Sequence, residues 1–228
     1  MLSRSRGLGP FEGKTLERCG CSACLPTRGF DANLHYVSFR TLKEVGEELE
    51  KIRKALIAAN LPLAEQSLRR PNQKPTRELY QAYLFAGSYG AAFDYRGMQI
   101  EMAPEYCEHD VRLRWPAGAS FDEALVQLKE MPPARLNESL TLGDLVQKVS
   151  RKYHHASNLT MAFFLNRTAR FGTVQTPIGH FRDLWFYGFN AENRLTLFLM
   201  GVDRHGIEHR FTDLPSGVRK QPTPRTSA

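Results

Sequence analysis

The last third of the chain constrains the fold most. From Leu159 onward the apolar residues occur in short, strand-sized runs separated by turn residues. Residues 190–193 and 203–206 are rich in Asn, Asp and Gly, which favour the tight turns of hairpins. A series of strands joined mainly by hairpins is therefore predicted. The predicted strands are residues 160–165, 171–175, 183–189, 194–202 and 207–211.

A helix is predicted before this region. Thr41 and Glu44 have the spacing of a capping box, in which each residue hydrogen-bonds the backbone N–H of the other. The apolar residues that follow recur at intervals of three and four, which places them on one face of a helix running to about residue 60. They are Leu42, Val45, Leu49, Ile52 and Leu56.

The middle of the chain gives weaker patterns. Further helices are predicted at residues 62–70, 76–87, 120–131 and 141–153, the third because Ser120 and Glu123 form a second capping-box pattern. Strands are predicted at residues 34–39 and 111–115, and a hairpin at residues 93–102 with its turn at Arg96 and Gly97. Helices thus precede most of the sheet, so the predicted class is α+β with N-terminal helices and a mostly antiparallel C-terminal sheet.

Three regions are predicted along the chain. Residues 1–32 contain many glycines and no sustained apolar period, which indicates a Cys-rich arm. Residues 33–214 form the α+β domain, and residues 215–228 form a disordered basic tail because they contain prolines and no aromatic residue.

The arm contains three of the four cysteines, Cys19, Cys21 and Cys24. Three thiolates at this spacing can surround one Zn²⁺, which takes four N or S ligands in a tetrahedron. Cys107 or His109 is the predicted fourth ligand, and His35 is the nearest rival. The alternative is that the cysteines are free thiols in a flexible arm. We therefore expect a zinc-stabilised arm.

No secretory leader or membrane-length apolar run is evident in the sequence. We accordingly expect a cytoplasmic protein without membrane association. In a reducing compartment the four cysteines are not expected to form a disulfide framework.

The formal net charge is +7. Between Lys51 and Arg77 there are seven basic residues and one acidic residue, Glu65, so most of the excess lies there. A concentration of positive charge favours a polyanionic partner. The expected nucleic-acid contacts are Arg69, Arg70, Lys74 and Arg77, with Arg167, Arg170, Arg112 and Arg114 as secondary contacts.

An enzyme is a less favoured alternative, and no catalytic residue is predicted. The sequence contains no Gly-rich phosphate loop, G-x-S-x-G turn or H-E-x-x-H helix. A thiol-dependent hydrolase would need a cysteine beside a histidine such as His154, His180 or His209. A metal-dependent nuclease would need carboxylates gathered around a divalent cation. The carboxylates considered for this role are Asp94, Glu101, Asp183 and Asp203.

These observations favour a non-enzymatic nucleic-acid-binding protein, a subunit of a bacterial-type nucleoprotein complex, with RNA or single-stranded DNA as its ligand. Other protein subunits are possible partners. The alternative is a protein-interaction adaptor whose basic face meets an acidic partner.

Overall fold

The computed structural model describes residues 39–58, 74–104, 107–130, 142–153, 156–165, 181–190 and 196–215. The helices in these ranges are α1 (Leu42–Ala58), α2 (Lys74–Ala92) and α3 (Leu142–Ser150). The strands are β1 (Arg40–Thr41), β2 (Gln99–Met102), β3 (Val111–Ala117), β4 (Ser120–Glu130), β5 (Leu159–Leu165), β6 (Asp183–Phe189), β7 (Thr196–Val202) and β8 (Glu208–Pro215).

Helix α1 begins at the predicted capping box. The Thr41 backbone N–H donates to the Glu44 carboxylate at 2.7 Å, and the Glu44 N–H donates to the Thr41 hydroxyl at 3.3 Å. These bonds satisfy backbone groups that have no partner inside the helix. The hydrogen bonds from Thr41 also lower the pKa of Glu44. The predicted start of this helix is confirmed.

The eight strands form one sheet in chain order, from β1 to β8. Neighbouring strands are antiparallel, except that β4–β5 and β5–β6 are parallel pairs. Parallel neighbours must be joined by a long crossover, and the connection between β4 and β5 contains helix α3. An α+β fold with a mostly antiparallel sheet is confirmed, although its centre is parallel.

Helices cover both faces of the sheet. Because successive strand residues point to opposite faces, Trp185 and Phe186 belong to different cores. Trp185 packs with Phe85 of α2 in the larger core, and α1 packs against α2. Phe186 packs with Val146 of α3 in the smaller core. The sheet therefore forms the middle layer of three.

The helix predicted at residues 120–131 is wrong, because this segment is β4. Ala124, Val126 and Leu128 are all buried and alternate with residues facing the other side. The Ser120 hydroxyl does not cap a helix but donates to the Ala117 carbonyl at 3.1 Å in the turn between β3 and β4. Burial at a period of two therefore outweighs the capping-box pattern.

The hairpin predicted at residues 93–102 is only half correct. Helix α2 continues to Ala92, and Phe93 lies in the turn that follows. The Phe93 backbone N–H donates to the Tyr89 carbonyl. Residues 99–102 form the predicted strand, but as β2 it pairs with β1 and β3. Tyr95 is consequently free to stack on Trp115 at a ring separation of 4.6 Å.

Several predictions fall outside the described residues. These are the Cys-rich arm, most of the strand at 34–39, the helix at 62–70, the strand at 171–175 and the tail beyond Pro215. Among the described helices, none is long and apolar enough to cross a membrane.

Candidate functional site

Two predicted secondary contacts for nucleic acid, Arg112 and Arg114, lie on β3 and pack against Phe39. Their guanidinium carbons are 4.5 and 3.7 Å from the centre of its ring. Arg112 is 8% exposed and forms a 2.7 Å ion pair with Glu101. Arg114 donates to the Gln99 side chain at 2.6 Å. Burial leaves Arg112 little surface to offer a phosphate, so we do not propose Arg112 as a nucleic-acid contact.

Lys74 and Arg77 lie in the first turns of α2. The Lys74 ammonium is 3.7 Å from the carboxylate of Glu78, and Arg77 is 3.8 Å from that of Glu130 at the end of β4. Both side chains remain partly exposed, at 50% and 29%. Partly exposed ion pairs of this kind contribute little to stability. Arg69, Arg70, Arg167 and Arg170 lie outside the described residues.

Asp110 directly precedes β3 and is bonded to β4. Its carboxylate accepts the backbone N–H of Leu128 at 2.8 Å and also accepts the side-chain amide of Gln127. Its own N–H donates to the Val126 carbonyl at 3.0 Å. These bonds fix the carboxylate against the second half of β4.

Glu78 of α2 lies near this carboxylate. Burial and then the negative charge of Asp110 raise the pKa of Glu78. Burial also raises the pKa of Asp110, while the charges of Lys129 and Lys74 partly oppose that rise. Two carboxylates in such surroundings favour a nearby cation. We call Glu78 and Asp110 the Glu78–Asp110 site.

The site is framed by contacts between α2 and the sheet. Gln81 of α2 donates to Glu130 at 3.3 Å, and its backbone carbonyl accepts the hydroxyl of Tyr187 at 3.1 Å. Tyr187 is fully buried on β6. These bonds hold the first half of α2, and with it Glu78, against β4 and β6.

The predicted zinc ligands are only partly described. Cys19, Cys21, Cys24 and His35 lie outside the described residues. Cys107 is disulfide-bonded, which differs from the expectation that the cysteines are reduced. His109 is 3% exposed, and its Nε2 atom has no hydrogen-bond partner. Burial and then the charge of Arg112 lower the pKa of His109 to about 4, so the imidazole is neutral at pH 7.

Each of the other candidate catalytic carboxylates pairs with a different residue, so they are not gathered at one site. Asp94 pairs with Arg96, Glu101 with Arg112, Asp183 with Thr160, and Asp203 with His209. Cys107 is the single cysteine in the described ranges and is not a free thiol, so a thiol–histidine pair is not seen there. His154 and His180 lie outside those ranges. In the same part of the chain, no three His, Cys, Asp or Glu residues are grouped to hold a metal ion.

Sequence reasoning missed Glu78 and the Gln127 amide that is bonded to Asp110. The signal for Gln127 was the alternation of Ala124, Val126 and Leu128, which marks β4 as a strand. Assigned to a helix, Gln127 could not be recognised as a strand residue beside Asp110.

The chain matches no known family model, no curated protein and no solved structure.

Proposed function

We propose that this protein binds nucleic acid and hydrolyses its phosphodiester backbone with a divalent cation at the Glu78–Asp110 site. The observation that carries the proposal is that Glu78 on α2 lies near enough to Asp110 for the charge of Asp110 to raise the pKa of Glu78. Magnesium is commonly bound by one or two carboxylates together with substrate phosphates, so a third acidic ligand is not required.

The two predicted basic segments support placing the cleavage site at Glu78 and Asp110. The segment with Arg69 and Arg70 enters the described chain at Lys74, which contacts Glu78. The segment with Arg167 and Arg170 leaves it at Leu165, one residue after Phe164, which pairs with Glu130. The first segment therefore connects to α2, which carries Glu78, and the second leaves β5, which pairs with β4.

The chemistry follows from the charges of these side chains. Glu78 and Asp110 would hold the cation, which when bound polarises the phosphate and offsets charge that develops in the transition state. In hydrolysis a water oxygen bonds to phosphorus as the bond to the leaving sugar oxygen breaks. One water proton passes to that oxygen, and the other stays with the phosphate or enters solvent.

The decisive experiment compares cleavage and binding in the same variants. Labelled RNA, single-stranded DNA and duplex DNA are incubated with wild type, Glu78→Gln or Asp110→Asn, in Mg²⁺, Mn²⁺ or chelator. We expect chelator to abolish cleavage. Each variant should lower the cleavage rate on the order of 10²–10⁴-fold, equivalent to several kcal/mol of transition-state stabilisation. Without metal, binding should be equal or tighter, because a negative charge near the polyanion is removed.

Matched controls are available on the surface. Glu47→Gln on α1 and Asp122→Asn on β4 make the same chemical changes at sites outside the Glu78–Asp110 site, and both should cleave like wild type. Binding without cleavage under every condition would return the protein to the non-enzymatic nucleic-acid-binding class. Absence of both would favour the adaptor.

We also propose that a zinc ion stabilises the Cys-rich arm, held by Cys19, Cys21 and Cys24 with His109 as fourth ligand. The support is that His109 presents a buried, neutral imidazole with an unpartnered nitrogen. A neutral imidazole is the form that binds zinc. Cys107 is the alternative fourth ligand. Because the chain contains only four cysteines and zinc binds thiolates, either set of ligands requires the Cys107 disulfide to be reduced.

A further inference from the structure

The face of the sheet opposite α2 carries an arginine that contacts two phenylalanine rings. Leu113 and Trp115 of β3 pack in the larger core with α2, so Arg114 between them points to the other face. Its guanidinium carbon is 3.7 Å from the centre of the Phe39 ring and 4.9 Å from the centre of the Phe121 ring. Both distances are within the range of a cation–π interaction.

Strand pairing and a hydrogen bond hold this arginine in place. The Arg114 Nε atom donates to the side-chain oxygen of Gln99 at 2.6 Å. The strands are paired so that Gln99, Arg114 and Glu123 lie side by side. Two residues earlier on β3, Arg112 is paired with Glu101. Positive and negative charges balance on these two arginines and two glutamates, so stacking is what this part of the face offers a ligand.

Phe121 is the exposed member of the group. It is 52% exposed, and the other exposed large hydrophobic residue in the described part of the chain is Ile207. An exposed aromatic ring beside a guanidinium is an arrangement on which proteins stack the unpaired bases of single-stranded nucleic acids. The bases of a duplex are already stacked on one another, so their faces are not accessible to a side chain.

We propose that Phe121 stacks on one base of single-stranded RNA or DNA, and that Arg114 fixes the position of its ring. The inference rests on the nucleic-acid binding proposed above and specifies the form of nucleic acid that is bound. Because the ring lies on the face opposite α2 and Glu78, it contributes to binding and not to the hydrolytic step. Stacking releases no counterions, so this contribution should not depend on salt.

The test uses the full-length protein and four variants. Phe121→Tyr retains an aromatic ring, Phe121→Leu removes it, and Phe121→Trp places a fluorescent ring at the same position. Ile207→Ala is the control, because it removes apolar surface at the other exposed position. Affinities are measured with chelator present, at several salt concentrations, for single-stranded RNA, single-stranded DNA, an abasic DNA strand of equal length and duplex DNA.

We expect Phe121→Leu to weaken binding to the single strands about fivefold to fiftyfold, the effect of one stacked base, with an unchanged log–log salt slope. A loss with only one of the two single strands would name that nucleic acid as the ligand. Abasic and duplex DNA should each bind Phe121→Leu and wild type equally. Phe121→Tyr and Ile207→Ala should stay within about twofold of wild type, because one keeps a stacking ring and the other lies off the site. Single strands should quench the fluorescence that Phe121→Trp has in excess of wild type.

Three results would overturn the inference while wild type still binds nucleic acid. These are equal affinity of Phe121→Leu and wild type for both single strands, an equal loss of affinity for intact and abasic DNA, and no quenching of the added fluorescence. If wild type binds no nucleic acid, the proposed function fails and the inference fails with it. If wild type binds without cleaving, the same affinities still decide whether Phe121 stacks on a base.

Discussion

The carboxylate of Asp110 accepts the backbone N–H of Leu128 at 2.8 Å, and this bond joins the residue before β3 to the second half of β4. Because the neighbouring amide of Gln127 binds the same oxygen, Asp110 is fixed before any ligand arrives. Because burial raises the pKa of both Asp110 and Glu78, we expect the stability of the protein to depend on pH and, on the function proposed above, on divalent cations.

The first prediction concerns this dependence. Because the pKa values of Glu78 and Asp110 are raised, the folded state binds their protons more tightly than the unfolded state does. Their contribution to stability is therefore present at acid pH and is lost as the pH rises through the folded pKa values. We expect Glu78→Gln to flatten this part of the pH profile in urea unfolding.

Divalent cation should reverse the loss. Saturating Mg²⁺ at neutral pH should stabilise wild type by about 1–3 kcal/mol, as for a ligand present at roughly 10–100 times its Kd. Glu78→Gln should show little of this gain and Asp122→Asn all of it. An equal gain in all three proteins would place the bound cation elsewhere.

The second prediction concerns nucleic-acid contacts. Replacing Arg69, Arg70, Lys74 and Arg77 with Gln should weaken binding to RNA or single-stranded DNA and flatten the log–log salt dependence by up to about three units. The melting temperature should change little, because the ion pairs of Lys74 and Arg77 are partly exposed.

Its control removes the same charge from elsewhere on the surface. The control residues, all exposed, are Lys43, Lys51, Lys54 and Arg96. An equal change in slope in both quadruple variants would mean that only net charge matters. An unchanged slope in the first would remove this basic stretch from the binding surface.

The third prediction concerns zinc. Protein purified under reducing conditions without chelator should contain about one zinc per chain, because binding and folding of a coreless arm are coupled. Cys21→Ser and His109→Ala should lose the metal, and His205→Ala, at an exposed histidine, should keep it. Metal analysis showing no zinc in wild type would contradict the proposal, whereas loss in Cys107→Ser but not in His109→Ala would change the fourth ligand.

The fourth prediction concerns two glycines in different surroundings, Gly201 in β7 and Gly87 in α2. A Cβ atom at Gly201 of β7 would lie 2.1 Å from the Leu184 carbonyl oxygen and 2.9 Å from the Trp185 Cα. The neighbouring backbone must move, so Gly201→Ala should destabilise the protein by about 1–3 kcal/mol or more. Apart from its chain neighbours and the backbone of its own helix, no atom lies within 4 Å of the Cβ position of Gly87 in α2, so Gly87→Ala should stabilise the protein by about 0.5–1 kcal/mol. Urea unfolding of both variants checks the opposite signs.

The parts of the fold that follow local rules were predictable. The capping box of Thr41 and the apolar stripe beginning at Leu42 agree on α1, so local pattern and tertiary packing give one answer. At Ser120 two local patterns conflict, and only burial against α2 decides for a strand. Because the segment that begins at Ser120 was predicted as a helix, the parallel centre of the sheet was not predicted either, since β4 is its first strand.

The site was less predictable than the fold for the same physical reason. Glu78 and Asp110 lie on different elements, and no spacing in the sequence relates them. Glu78 comes near Asp110 only when α2 packs on the sheet. The contacts of Gln81 and Arg77 with Glu130 are part of that packing. His109 was identified from its neighbours in sequence, but its burial and its unpartnered nitrogen are tertiary properties.

The order of the strands also has a kinetic consequence. Among the described strands, each one from β3 to β8 pairs with the strand that precedes it, so assembly can proceed by successive additions along the chain. The pair β1–β2 differs, since Arg40 meets Ile100 only after α1 and α2 have been enclosed. Closing the longer loop loses more chain entropy, and β1 provides only two residues of pairing in return. In pulsed hydrogen exchange during refolding, the amides of β1 should therefore gain protection after those of β6 and β7.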